Sequence, residues 1–161
     1  MIVTGPGVNN VISSLSKTMQ LGFLNPCVDI INVGYAGSKG LNVGEVVGVK
    51  ACHCFEFPTK ADTGVKNCIK LSSNGYDCYT SIDFVENADN IANESLFDME
   101  LAYIARFVYN SLHSIKIVSD NLSYDGFKNF DKKEVWTKAI KMTEEIIKKR
   151  GRESVSRYIT T

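Results

Sequence analysis

Residues 28 to 33, Val-Asp-Ile-Ile-Asn-Val, form a mostly apolar run that passes directly into Gly34-Tyr35-Ala36-Gly37-Ser38-Lys39-Gly40. A run of this kind suits a strand buried on both faces, as in parallel sheets covered by helices. The glycines that follow let a backbone approach a ligand closely and expose its N–H groups. Helical and extended patterns alternate around this core strand. Val8, Val11, Ile12, Leu15 and Met19 fall on one helical stripe, and Gly22 suits the helix end. Val43 to Cys52 and Tyr76 to Val85 read as strands, with a loop-rich stretch at 55–75 between them. Ser95 to Leu112 reads as a helix apolar around most of its circumference. Ser114 to Ser119 reads as a short strand ending at Asp120. Asp131 to Arg150 reads as an amphipathic helix with Asp131 at its start. The expected fold is one three-layer α/β/α domain over 1–150 around a mostly parallel mixed sheet, followed by a frayed polar tail over 151–161.

Composition narrows the function. The 161 residues include 18 Lys and Arg against 18 Asp and Glu. A neutral balance argues against a nucleic-acid or anionic-membrane surface. The hydrophobic fraction of 44% suffices for a real core. No stretch resembles a secretory leader or an apolar span of the ~18 residues that a bilayer needs, so the protein is expected in the cytoplasm with its five cysteines reduced. Cys52-His53-Cys54 has metal-ligand residue types, but a metal needs further donors and no second Cys/His pair of usual spacing exists. Alternation along a strand accounts for the three, and neither metal nor cofactor is expected.

In α/β sheets, ligands sit outside the carboxyl ends of the strands. Three polar features fall there. The segment 34–40 lacks the spacing of a phosphate loop or a dinucleotide fingerprint, so by itself it reads equally as a tight connection. Asp98-Met99-Glu100 opens the apolar helix, where acids often only complement the helix dipole. A partly buried carboxylate nonetheless needs donors, and sugar hydroxyls supply them. Ser119-Asp120 closes a strand, where an Asp commonly shapes a turn and can instead serve as a general acid.

Together and in this order, these features resemble the nucleoside phosphorylase superfamily, most closely the 5′-methylthioadenosine/S-adenosylhomocysteine nucleosidases. Val3-Thr4-Gly5-Pro6-Gly7-Val8 resembles the family's strand-turn-helix with a G-x-G core. Ile31-Asn32-Val33-Gly34-Tyr35-Ala36-Gly37 is similar to its I-N-T-G-S-A-G segment, and Leu41 to Val47 to its L-x-V-G-D-I-V. Tyr79 to Val85 resembles the lining of the purine pocket. Phe97 to Ala105 is similar to V-E-M-E-x-x-A-I-A, and Ile117-Val118-Ser119-Asp120 to A-I-S-D. The resemblance implies a phosphorylase/hydrolase-like fold and a small-molecule purine nucleoside as partner. Glu100 would bind the ribose hydroxyls with Met99 against the sugar. Asp120 would protonate the purine N7, oriented by Ser119. Phe84 would stack on the base and the backbone of Val85 would meet its edge. Asp98, Tyr35, Ala36, Gly37 and Lys116 would complete the substrate site.

The departures are as specific. The family carries a further strand and helix upstream, with an acid that activates water, and the chain begins after that segment. Tyr35 replaces a small hydroxyl residue, and Lys116 stands near the family's Arg. Asn32 occupies the place of the phosphorylases' phosphate-binding Arg. The resemblance therefore implies a purine nucleosidase. A catalytically weakened or inactive nucleoside-binding relative is the alternative, and a phosphate-dependent phosphorylase the next. His53, His113 and Glu56 are candidates to activate water, although each also reads as a surface or loop residue. A homodimer or higher homo-oligomer is expected, because relatives pair through helices beside the site.

Overall fold

The computed structural model describes residues 2–24, 29–55, 68–107, 111–133, 135–150 and 156–160. The elements run β1 (Ile2–Val3), α1 (Val8–Gln20), β2 (Asp29–Lys39), β3 (Val46–Cys54), β4 (Cys68–Lys70), β5 (Tyr76–Thr80), β6 (Ser95–Asp98), α2 (Leu101–Ile104), β7 (Leu112–Asp120), α3 (Tyr124–Asn129), α4 (Trp136–Arg150) and β8 (Ser156–Thr160). The fold is mixed α/β. Strand β2 pairs in parallel with β7 and in antiparallel with β6. β6 then pairs with β5, β5 with β3, and β3 with β7. The five strands thus close on themselves, which leaves β4 at one margin and β8 and β1 at the other.

Side chains of β2 and β7 alternate between two apolar clusters. Ile30, Ala36, Leu112 and Val118 pack with Val11 and Leu15 of α1 and with Leu101 and Ile104 of α2. Ile31, Val33, Ile115 and Ile117 pack with Val135 and with Ala139 of α4. A two-residue period on strands buried on both faces produces this division. Helix α1 forms on its expected stripe and ends in a Schellman motif. Gly22 (φ 70°) donates its N–H to the Met19 carbonyl at 2.9 Å, and Phe23 donates to Thr18 at 3.0 Å.

Several expected elements differ. The glycine segment 34–40 is not a connection, because β2 continues through it to Lys39. Pairing to β7 and then to β6 satisfies this backbone and outweighs glycine's weak strand preference. The helix expected over 95–112 is instead strand β6, the short helix α2 and the beginning of β7, with 108–110 outside the described residues. All four residues of β6 and all nine of β7 are buried. Such uniformly buried runs show no exposed face to mark a strand from a buried helix. The long helix starts at Trp136, while Asp131 accepts the Lys133 N–H at 3.0 Å in the preceding loop. Helix α3 was not expected; Ser123 caps it by accepting the Gly126 N–H at 3.2 Å. Finally, the segment expected as a frayed tail carries β8, parallel to both β1 and β2. It pairs with the Asp29–Val33 edge of β2, whose N–H and C=O groups need partners, and Tyr158, Ile159 and Thr160 favour extended structure.

Candidate active site

A cavity of about 390 Å³ opens where β2, β6 and β7 end. It is lined by Pro6, Tyr35, Ala36, Gly37, Asp83, Phe84, Val85, Phe97, Asp98, Met99, Glu100, Ser119, Asp120, Leu122, Tyr124 and Phe127. Its size falls in the usual range for small-molecule sites, and its few polar groups sit within a largely apolar wall. Glu100 and Asp120, the two acids that the sequence singles out, therefore face one space.

Asp120 reaches this position through a bulge. Along β7, Val118 pairs with Ala36, but Gly37 pairs with Asp120, so Ser119 is an extra residue. Bulges of this kind re-aim a side chain beside a site. The Asp120 carboxylate accepts the Ser119 hydroxyl at 2.8 Å on one oxygen and the Ser123 N–H at 3.1 Å on the other. Ser119 Oγ also lies 3.3 Å from the Ala36 carbonyl, and the shorter contact directs its single proton to Asp120. The chain turns away through Leu122, whose φ of 59° is unusual for a non-glycine residue. Gly37 leaves the space that Asp120 occupies, because a Cβ there would stand 2.8 Å from Asp120 Oδ1 and 3.3 Å from Leu122 Cδ2. Gly37→Ala is expected to displace the Asp120 carboxylate, because the added Cβ overlaps Oδ1. A crystal structure of the variant beside an unchanged far-UV spectrum would check this result.

Glu100 is the N-cap residue of α2, and its carbonyl accepts the Tyr103 and Ile104 N–H groups, both at 3.0 Å. Its carboxylate accepts the N–H of Gly7 at 2.6 Å, at the N-cap of α1. The positive end of α1 thus favours the anion. Burial dominates nevertheless and raises the Glu100 pKa, with the charge of Asp98 adding to it; Lys116 and the N–H groups of Gly7 and Met99 oppose the rise.

Asp98 and Lys116 were expected to touch substrate, and the structure gives them other partners. Both side chains are fully buried, with Lys116 Nζ 2.7 Å from Asp98 Oδ2. Asp98 also accepts the Thr80 hydroxyl at 2.6 Å and the Leu101 N–H at 2.9 Å. Thr80 Oγ1 in turn accepts the Ala102 N–H at 3.0 Å. Asp98 borders the cavity with its lone pairs already engaged, and Lys116 does not line it. The pair pins the first turn of α2 and with it Glu100. Burial alone would lower the Lys116 pKa, but Asp98, with Cys78 and Glu100, outweighs it and raises the value.

Tyr35 fills the far wall. Its hydroxyl accepts the Trp136 Nε1–H at 2.6 Å, and Phe127, Phe130 and Trp136 meet its ring edge-on. Phe84 packs against Tyr124 and Phe127 of α3. Sequence reasoning missed Gly7, Thr80, Leu122, Tyr124 and Phe127. The Tyr124–Phe127 spacing of three was the available signal, on a helix too short to show a period.

The remaining candidates lie elsewhere. On β3, Cys52 and Cys54 point into the core, while His53 stacks on Tyr79 and lies 3.4 Å from Asp77. Burial pushes the Cys52 thiol up to about 12 and raises Cys78 as well, so both stay protonated. No group of three His, Cys, Asp or Glu among the described residues could hold a metal ion. His113 is buried on β7 beside Ser73, and neither histidine lines the cavity. Glu56 lies outside the described residues. Among those residues, no helix is long and apolar enough to cross a membrane.

A mixed sheet closed on itself, with a cavity at the strand ends bordered by Asp120 of β7 and by Glu100 before α2, is a fold that this chain shares with solved nucleosidase and hydrolase structures. Among solved structures, it is similar to the 5′-methylthioadenosine/S-adenosylhomocysteine nucleosidase of Neisseria meningitidis in complex with methylthio-immucillin-A, at a TM-score of 0.69 and 22% identity over 91% of this chain and 79% of that one. It is similar to the S-adenosylhomocysteine nucleosidase of Streptococcus pyogenes, at a TM-score of 0.72 and 16% identity over 92% and 78%. It also resembles the futalosine hydrolase of Helicobacter pylori, at a TM-score of 0.72 and 14% identity over 90% and 77%. No family model and no curated protein sequence matches the chain.

Proposed function

We propose that this chain is a purine nucleosidase, cleaving the base–ribose bond of an adenosine-type nucleoside such as methylthioadenosine with water. The observation that carries the reading is that Glu100 and Asp120 share one cavity with Phe84, Val85 and Met99. Breaking the C1′–N9 bond sends its electron pair into the purine and leaves an oxocarbenium-like sugar. Asp120 delivers a proton to N7 as that charge develops, and water adds to C1′ and gives its spare proton to the solvent. Ser119 and the Ser123 N–H each hold one carboxylate oxygen and orient the acid. Glu100 accepts hydrogen bonds from the ribose diol and places negative charge beside the cationic transition state. Phe84 stacks on the base, the backbone of Val85 meets its edge, and Met99 packs on the sugar.

Incubation with methylthioadenosine, adenosine and inosine, with and without phosphate, tests the reading. Free base released without phosphate is the expected result. Base released only with phosphate would make the chain a phosphorylase, and binding without turnover would make it a nucleoside-binding relative.

The charge state of Glu100 adds a pH signature. The clasp needs the carboxylate, so nucleoside affinity is expected to fall as the pH drops through the raised Glu100 pKa, above the ordinary glutamate range. For stability the sign is opposite: because the folded-state pKa is the higher one, the cost of burying the charge sets in as pH rises from the unfolded to the folded value and then stays constant. Glu100→Gln is therefore expected to keep or raise the melting temperature while lowering kcat by about 10²-fold. Lower stability together with intact turnover would contradict the assignment.

The same reading makes the chain a cytoplasmic homo-oligomer. Ile12 on α1 and Leu21 and Phe23 beyond its end expose apolar surface that a second copy would cover. Light scattering at micromolar concentration is expected to give at least a dimer, and a monomer would count against it.

A further inference from the structure

The wall of the cavity formed by Phe84 and Val85 belongs to the long segment between β5 and β6, and this segment is tied to the end of β2. Lys39 Nζ donates to the carbonyls of Ala88 at 3.1 Å, Asp89 at 3.4 Å and Ile91 at 3.1 Å. An ammonium has three protons, so these carbonyls use its whole donor capacity. The neighbouring residues of β2 reinforce the attachment. The Lys39 carbonyl accepts the Glu94 N–H at 2.6 Å, and Ser38 Oγ donates to the Ser95 carbonyl at 2.9 Å. Gly40 (φ 103°) approaches Glu94 so closely that a Cβ would stand 3.1 Å from the Glu94 nitrogen, and Glu94 itself has a φ of 63°. Hydrogen bonds from Asp83 to Ser81, from Asp89 to Asn87 and from Ile91 to Ala88 are local, and Phe84 also packs against Tyr124 and Phe127 of α3. Toward its start, the segment meets the rest of the fold where Ser81 donates to the Asp98 carbonyl at 3.0 Å.

We infer that Lys39 is a positioning residue for the base-binding wall: its three carbonyl contacts set where Phe84 and Val85 stand, and so determine how well the site holds a purine. The nucleobase role rests on the nucleosidase reading, whereas the tether itself does not. The chemistry selects lysine. A compact ammonium on a flexible stem can address three converging carbonyls, whereas the planar fork of Arg presents its donors in one plane and reaches fewer of them. Lys39→Met removes every contact, and Lys39→Arg restores a part.

Hydrogen exchange of the full-length variants reads the tether directly. In Lys39→Met, amides within 82–93 are expected to exchange about tenfold faster while those of β2 and β7 do not change. In kinetics with the cleaved nucleoside, KM is expected to rise about tenfold with kcat within about threefold, and Lys39→Arg to fall between, the pattern of lost binding rather than lost chemistry. Unaltered exchange over 82–93 would overturn the inference, as would a fall in kcat at constant KM. Should Lys39→Met fail to fold, Lys39→Gln, which keeps the length of a short donor, replaces it in both measurements. If the wild-type chain cleaves no purine nucleoside, the nucleosidase reading falls and the exchange result alone decides the tether.

Discussion

Asp120→Asn is expected to lower kcat by about 10²- to 10⁴-fold while KM stays within a few-fold, the range lost with a general acid. The amide has nearly the shape of the carboxyl: its oxygen can keep the Ser123 N–H and its nitrogen can donate to Ser119 Oγ, whose own proton then turns to the Ala36 carbonyl, in a side chain that has no acidic proton to give. The loss therefore isolates proton delivery from packing. Ser119→Ala, which removes only the orienting hydroxyl, is expected to cost about tenfold. Equal turnover by Asp120→Asn and wild type would remove Asp120 from the mechanism.

The second large effect concerns stability. Lys116→Met leaves the Asp98 carboxylate buried without its cation, and breaking a buried pair in this way costs about 3–5 kcal/mol. In a domain of this size that corresponds to a fall in melting temperature of roughly 6–20 °C. Lys116→Met combined with Asp98→Asn is expected to recover most of the loss, because the uncompensated charge is gone, the amide oxygen still accepts the Leu101 N–H and the amide nitrogen can donate to Thr80 Oγ1. The catalytic consequence is separate. Lys116 opposes the upward shift of Glu100, so without it the Glu100 pKa moves higher still. The acidic limb of nucleoside binding should move to higher pH in Lys116→Met, as a calorimetric titration against pH would show. An unchanged melting temperature would mean that the pair contributes nothing.

The residues expected to matter and the elements expected to carry them were not equally legible. Helix α1 followed from one apolar stripe and its flanking glycines, because every signal was local. The stretch from Ser95 to Leu112 misled for a physical reason. Strand β6, helix α2 and the start of β7 are all deeply buried, so no polar face marked the period. Strand β8 was illegible because a polar segment becomes a strand when an open edge of β2 accepts it. Lys116 shows the same limit. Standing near the place of an Arg in the resembled family, it was expected as a cation at the site, but Asp98, 18 positions away in the chain, lies 2.7 Å from it.

By itself, the sequence determined that this is an α/β chain with a buried core strand followed by glycines, and that Glu100 and Asp120 are acids placed after apolar runs. Those properties depend on neighbouring residues alone. Only the tertiary structure decided that the two acids face one cavity. Their convergence rests on a one-residue bulge at Ser119, on a Gly37 that makes room for Asp120, and on the Gly7 N–H that holds Glu100. Each of these joins residues about 80 or more positions apart, and such contacts exist only once the sheet has closed.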